Sequence, residues 1–196
     1  MALTTPVPGV IADAYARSAI RNVLLVLGGA AFVGLAAQIA IPLPFTPVPV
    51  TGQTFAVLLT AAALGTWRGA ASMLVYAAMG LAGVPWFAEG SSAFKDGALV
   101  VSFGYVLGFI AAAALVGWLA ERGNTRTPLR TAGLMVLGNV VIYAIGATWL
   151  AGAIDVSFGK ALELGVQPFL LGDALKVALA AGLFPLAWRA VDRFTK

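Results

Sequence analysis

The chain contains no cysteine and no histidine in 196 residues. Without cysteine there is no disulfide framework, no thiolate metal site and no thiol nucleophile. Without histidine there is no imidazole metal ligand and no histidine proton relay. No metal or cofactor is therefore expected. Charge is also scarce: Asp, Glu, Lys and Arg make up 10% of the residues, against about 25% in soluble proteins. No GxxxxGK[ST] phosphate loop, HExxH pair or nucleophile elbow occurs, and the few serines have no histidine to activate them. ATP hydrolysis by a phosphate loop and metal- or serine-based hydrolysis are thus not expected. The chain does not read as an enzyme.

What is present is apolar. Hydrophobic residues make up 61% and the mean hydropathy is +0.95, more apolar surface than a soluble domain of this length can hide. The sequence reads as an all-α integral membrane protein. The net charge of +4 comes from residues set between apolar segments, so membrane topology explains it and a nucleic-acid partner is not expected. The length leaves no room for an additional soluble domain.

Apolar stretches place six spans. The first runs from about Asn22 to Ile41, longer than the 7–15 residues of a signal-peptide core, and reads as retained. Four prolines between Pro42 and Pro49 forbid regular helix, so this segment belongs at an interface or lining a cavity. The second span, about Gln53 to Thr66, and the third, Ala70 to Val84, are short, with a turn expected at Trp67-Arg68-Gly69. The fourth is Ala98 to Ala120, the fifth Thr131 to Ile154 and the sixth Pro168 to Trp188. Asp155 to Gln167 reads as a loop with room for a short surface helix. The predicted organisation is an N-terminal tail over 1–21, a six-helix domain over 22–188 and a C-terminal tail over 189–196.

On one side of these spans lie Arg17, Arg21, Arg68, Arg122, Arg126, Arg130, Arg189, Arg193 and Lys196; on the other, only Lys95 and Lys160. The positive-inside rule then places both termini in the cytoplasm of a prokaryotic plasma membrane protein. The proline-rich segment, the loop from Pro85 to Ser92 and the start of the sixth span face outward.

Asp173 and Lys176 are the charged residues inside the sixth span. A charge at the bilayer centre costs about 2.5–3.5 kcal/mol on insertion scales, so such a pair faces a cavity or a partner. At i, i+3 the two share one helix face and present an acceptor beside a cation. They suit a small ligand with hydrogen-bond donors and a carboxylate; the alternative is an ion pair that only holds the bundle together. Asn139 and Tyr143, at i, i+4 in the fifth span, share a face suited to interhelical hydrogen bonding.

Several runs in order carry a resemblance. They are Ile41–Leu59 (IPLPFTPVPVTGQTFAVLL), Tyr76–Phe87 (YAAMGLAGVPWF), Phe103–Phe109 (FGYVLGF), Tyr143–Leu150 (YAIGATWL) and Gln167–Lys176 (QPFLLGDALK). Together they resemble the BioY family, the biotin-binding S components of energy-coupling-factor (ECF) transporters. Leu99–Tyr105 and Ser91–Asp96 depart from the glycine-rich runs common there, so ligand contacts of that loop do not carry over. The Gly-Asp-x-x-Lys element at 172–176 is intact.

The resemblance implies a six-helix bundle of the ECF S-component type with an external biotin pocket. Its partners would be a transmembrane coupling subunit, a pair of cytoplasmic ATPases and the surrounding membrane lipid. The alternative function is a self-sufficient carrier or facilitator for biotin or a related small carboxylate. In a biotin pocket, Asp173 would accept from a ureido N–H and Lys176 would meet an anionic or carbonyl oxygen. Trp86, Phe87 and Tyr105 would supply apolar walls, unless they belong to an interfacial aromatic belt. Gln53 and Thr51 would hydrogen-bond the ligand or cap the second helix. Glu89 would add an acceptor or remain an exposed loop charge. The small-xxx-small pairs Ala30/Gly34 and Ala36/Ala40 would admit either the coupling subunit's helix or a neighbour within the bundle.

Overall fold

A hydroxyl starts the first long helix: Ser18 Oγ accepts from the Arg21 amide at 3.3 Å and caps α1, Ala19–Ala37. The computed structural model describes residues 9–14 and 18–194; Arg17 and Lys196, counted above, lie outside them. One face of α1 is small and buried (Gly29, Ala30, Val33, Gly34, Ala37), whereas Leu24, Leu27, Phe32 and Leu35 point away from the bundle. That division is what a helix with protein on one side and lipid on the other requires.

The proline-rich segment does not become helix. It is closed at its base by a short antiparallel pairing of β1, Ala40–Ile41, with β2, Val50–Thr51. Helix α2 follows at Gln53–Leu64 and α3 at Thr66–Leu81. The expected turn at Trp67-Arg68-Gly69 is displaced to Gly65 alone. Gly65 takes φ +85°, open to glycine at little cost. The next helix starts at once because Glu121 caps it, accepting from Thr66 N at 2.7 Å and Thr66 Oγ1 at 2.8 Å. A carboxylate at a helix N-terminus is favoured by the exposed amides and the dipole.

A second hairpin, β3 Phe94–Lys95 with β4 Ala98–Leu99, turns at Asp96-Gly97, both with positive φ. It takes the first residues assigned to the fourth span, so α4 begins at Phe103 and ends at Ala120. Helix α5 covers Pro128–Ala153 and α6, the short surface helix, Phe158–Gly165. Helix α7 runs from Leu170 to Phe194. It thus carries on without a break through Arg189, Asp192 and Arg193, so the expected C-terminal tail is helical as far as Phe194.

With α6 set aside, six α-helices among the described residues form the bundle, as expected of this fold class. Helices α1, α4, α5 and the stretch containing α7 are long and apolar enough to cross a membrane. At 1.5 Å per residue α2 spans about 18 Å and α3 about 24 Å, both less than the roughly 30 Å hydrocarbon thickness. The irregular segment at 38–52 precedes α2, and that at 82–102 follows α3.

The two ends of the bundle differ. At the end where α1 begins and α7 finishes, the segment Ile11–Ala14 is docked on the helices, with Val10 and Ala12 buried. Arg68 holds it, donating Nη1 to Asp13 Oδ1 at 2.9 Å and Nε to Asn22 Oδ1 at 2.8 Å. The opposite end carries both hairpins, the Pro85–Ser92 loop and α6. Thr46 Oγ1 donates to Leu164 O at 2.6 Å, tying the proline-rich loop to α6. The functional cavity lies at this second end.

Candidate functional site

The site begins where α7 begins. Residues Gln167–Phe169 make one 3-10 turn, with Pro168 where no amide donor is needed, and Asp173 falls in the first turn of α7. The free amides there favour a carboxylate. One turn deeper, Lys176 Nζ reaches back to Asp173 Oδ1 at 2.8 Å; the side chains are 19% and 6% exposed respectively.

Two charges so buried are tolerated only when paired and hydrogen-bonded. Here the pairing is complete. Lys176 Nζ also donates to Thr51 O at 2.9 Å and Thr54 Oγ1 at 2.8 Å, which uses its three hydrogens. Thr54 Oγ1 donates in turn to Asp173 Oδ1 at 3.2 Å, and the Tyr143 hydroxyl donates to Asp173 Oδ2. Four elements (β2, α2, α5 and α7) therefore converge on one ion pair.

The pair is part of the wall of a cavity and does not face lipid. Val48 and Pro49 line it from the proline-rich loop; Thr51, Gln53 and Thr54 from β2 and α2; Ser102, Tyr105, Val106 and Phe109 from the start of α4. Phe87, Ala88, Tyr143 and Phe169 complete it. The unfilled space between these walls, mouth included, is about 570 Å³, and about 50 Å³ of it is roomy enough for water to move in. The smaller figure is the one comparable with the roughly 300–1,000 Å³ of small-molecule sites; the walls stand close together and must part to admit a ligand.

Of the residues singled out from the sequence, Asp173, Lys176, Tyr105, Phe87 and Gln53 come together here. Gly146 makes room for Tyr105, since a Cβ there would run into its ring. The Tyr105 hydroxyl donates to Gly165 O at 2.8 Å, fixing the ring against the end of α6. Phe87 is seated over Gly80 in the same way and lies 5.0 Å from the Tyr76 ring. Gln53 does not cap α2. Its Nε2 donates to Tyr76 Oη at 2.8 Å, so it braces the cavity wall against α3.

Three of the sites named from the sequence lie outside the cavity lining. Trp86 does not line the cavity: its indole Nε1 donates to Tyr76 O at 3.1 Å and its ring covers Gly34, so it stiffens the wall from behind. Glu89 is exposed in a tight turn at φ 59° and lies outside the lining. Ala30 and Gly34 lie on the buried face of α1, where a Cβ on Gly34 would come within 3.0 Å of Trp86. Their small size lets α1 pack closely within the bundle, whereas Leu24, Leu27 and Leu35 lie exposed on α1.

Other lining residues were not picked out. Thr54 is next to Gln53 and one residue into α2, a position its sequence does not mark. Tyr143 was placed on an interhelical face, and the bond it makes there is to Asp173 itself. Phe109 and Phe169 were indistinguishable from other apolar span residues.

The model of the BioY family matches residues 10–193. The biotin transporter BioY of Rhizobium etli is 33% identical over 166 residues, covering 81% of this chain and 88% of that one. The biotin transporter BioY of Thermotoga maritima is 36% identical over 144 residues, 72% and 81% of the two chains. The crystal structure of the S-component for biotin from an ECF-type ABC transporter superposes with a TM-score of 0.75. It covers 87% of this chain and 92% of its own at 20% identity, which establishes the shared fold. With nearly all of its described length matched by the family model, and relatives above 30% identity over most of their own length, the chain belongs to the BioY family.

Proposed function

We propose that this chain is the biotin-capturing S component of an ECF-type uptake transporter. The observation that carries the reading is the Asp173–Lys176 pair, buried yet set in the wall of an aromatic-lined cavity. Biotin joins a ureido group, an apolar bicycle and a carboxylate tail. Phe87, Tyr105, Phe109 and Phe169 offer flat apolar walls to the bicycle. Asp173 is an acceptor for a ureido N–H, and Lys176 a donor to a ligand oxygen. Both charges are already desolvated and oriented by Thr54, Thr51 and Tyr143, so binding exchanges hydrogen bonds instead of stripping water from free ions.

The excess of Lys and Arg on the terminal side argues that the termini, with tails near 1–21 and 189–196, face the cytoplasm. The cavity, at the opposite end of the bundle, then opens outward, and lipid covers the apolar outer face of α1. With no phosphate loop in its sequence, the chain depends on partners to drive uptake: a transmembrane coupling subunit and a cytoplasmic ATPase pair. It performs no chemistry on its ligand.

The test is equilibrium binding of labelled biotin to the detergent-purified chain. One biotin per chain, lost in Lys176→Gln at unchanged fold, supports the proposal; no saturable binding refutes it. Reconstitution of the chain alone in vesicles tests the partnership. Net accumulation of biotin there would make it a self-sufficient carrier.

A further inference from the structure

A second, smaller space lies directly beneath the ligand cavity. Only about 10 Å³ of it is open to water, and Thr54, Leu58, Met135, Asn139, Lys176 and Val177 are among the residues that bound it. Thr54 and Lys176 belong to both spaces and so form the partition between them. Asn139 is 8% exposed, and its Oδ1 is buried with no hydrogen-bond partner among the described residues. An orphaned amide oxygen in an apolar bundle is costly and calls for an explanation.

Register supplies one. Helices α5 and α7 run antiparallel, and Tyr143 on α5 meets Asp173 on α7. Four residues back along α5, on the same face, comes Asn139, level with Lys176 three residues on along α7. Asn139 thus has the position to accept from the network but is not used by it. Meanwhile Asp173 Oδ1 already accepts from both Lys176 at 2.8 Å and Thr54 at 3.2 Å, while Oδ2 accepts from Tyr143. A ligand N–H that binds Oδ1 must displace one of them, and the longer, uncharged bond from Thr54 is the weaker.

We propose that Asn139 is the second seat of the Thr54 hydroxyl. When a ligand donor takes Asp173 Oδ1, the hydroxyl turns from Asp173 to Asn139 Oδ1. Asn139 is thereby a positioning residue: it touches no ligand, and it keeps the displaced hydroxyl satisfied. The inference rests on the reading of Asp173 as a ligand acceptor.

The experiment is a double-mutant cycle on biotin affinity with Asn139→Leu, Thr54→Val and the two together, alongside Asp173→Asn. Each variant is also melted without ligand. Asn139→Leu is expected to weaken biotin roughly fivefold, one neutral hydrogen bond, while leaving the ligand-free melt unchanged or raised, because an orphan acceptor has gone. In the Thr54→Val background the same change is expected to cost nothing. An effect of Asn139→Leu that is absent, or equal with and without the Thr54 hydroxyl, overturns the inference; the latter would point to a bridging water in its place. If Asp173→Asn leaves affinity intact, the underlying reading of the site fails instead.

Discussion

Replacing Asp173 with Asn removes one charge and almost no volume. Lys176 would then keep Thr51 O and Thr54 Oγ1 as partners but lose its counter-charge, with its side chain 19% exposed. Breaking a fully buried pair costs about 3–5 kcal/mol. The remaining partners and the partial exposure of Lys176 put the cost below that range, about 2–3 kcal/mol. The ligand loses a charge-assisted hydrogen bond as well. Such a bond contributes about 1.5–3 kcal/mol, which corresponds to roughly 10- to 150-fold in Kd. The assay is equilibrium dialysis of labelled biotin against the detergent-purified variant, with a thermal melt in parallel. A double variant, Asp173→Asn with Lys176→Gln, sharpens it. Neutrality is restored, so the melt should recover in part while affinity stays low. If instead affinity remains within about twofold of the parent in folded Asp173→Asn protein, the pair is structural and the reasoning fails.

Other outcomes follow from the same structure. Tyr143→Phe removes a donor to Asp173 Oδ2 and should weaken biotin about five- to tenfold, less than loss of a direct bond to a charged group because the donor orients Asp173 and is not itself lost from the ligand, read by the same dialysis. Gly146→Val would force the Tyr105 ring out of its seat, costing about 1–3 kcal/mol by overpacking and lowering both melting temperature and biotin affinity. Thr46→Val breaks the 2.6 Å tie to Leu164 O and should cost about 1 kcal/mol, with hydrogen exchange rising over the loop at 42–49 if the tie orders it. Asp13→Asn weakens the hold of Arg68 on the segment at 9–14. Because Asp13 is 38% exposed, the expected loss is modest, about 1 kcal/mol, and faster exchange at Val10 and Ala12 should accompany it, with biotin affinity unchanged.

The bundle was legible in the sequence because lipid imposes a coarse rule: long apolar runs become helices, and the scarce charges mark ends or sites. That rule located α1, α4, α5 and α7 and singled out Asp173 and Lys176. It failed where local backbone chemistry decides. A single glycine with φ +85° and a carboxylate from a distant turn moved the α2–α3 junction to Gly65. The Asp96-Gly97 dipeptide, a hairpin signal in its own right, was absorbed into a loop and a span. The site was half legible for a similar reason. Asp173 and Lys176 stand out by their cost in a membrane, and Phe87, Tyr105 and Gln53 by position near the ends of spans. Trp86 has the same sequence profile as Phe87, yet it faces α1, because Gly34 and the Tyr76 carbonyl offer its ring and indole N–H a better fit. Thr54 gives no sequence signal, and Asn139 only that of a polar residue on an interhelical face beside Tyr143, since their importance arises from the register of α2, α5 and α7.

The most direct measurement is a structure of this chain with biotin bound. The account predicts biotin density between Phe87, Tyr105 and Phe169, with a ureido nitrogen within about 3 Å of an Asp173 oxygen and a ligand oxygen at similar distance from Lys176 Nζ. Biotin lodged elsewhere, with the Asp173–Lys176–Thr54–Tyr143 network unaltered, would contradict it.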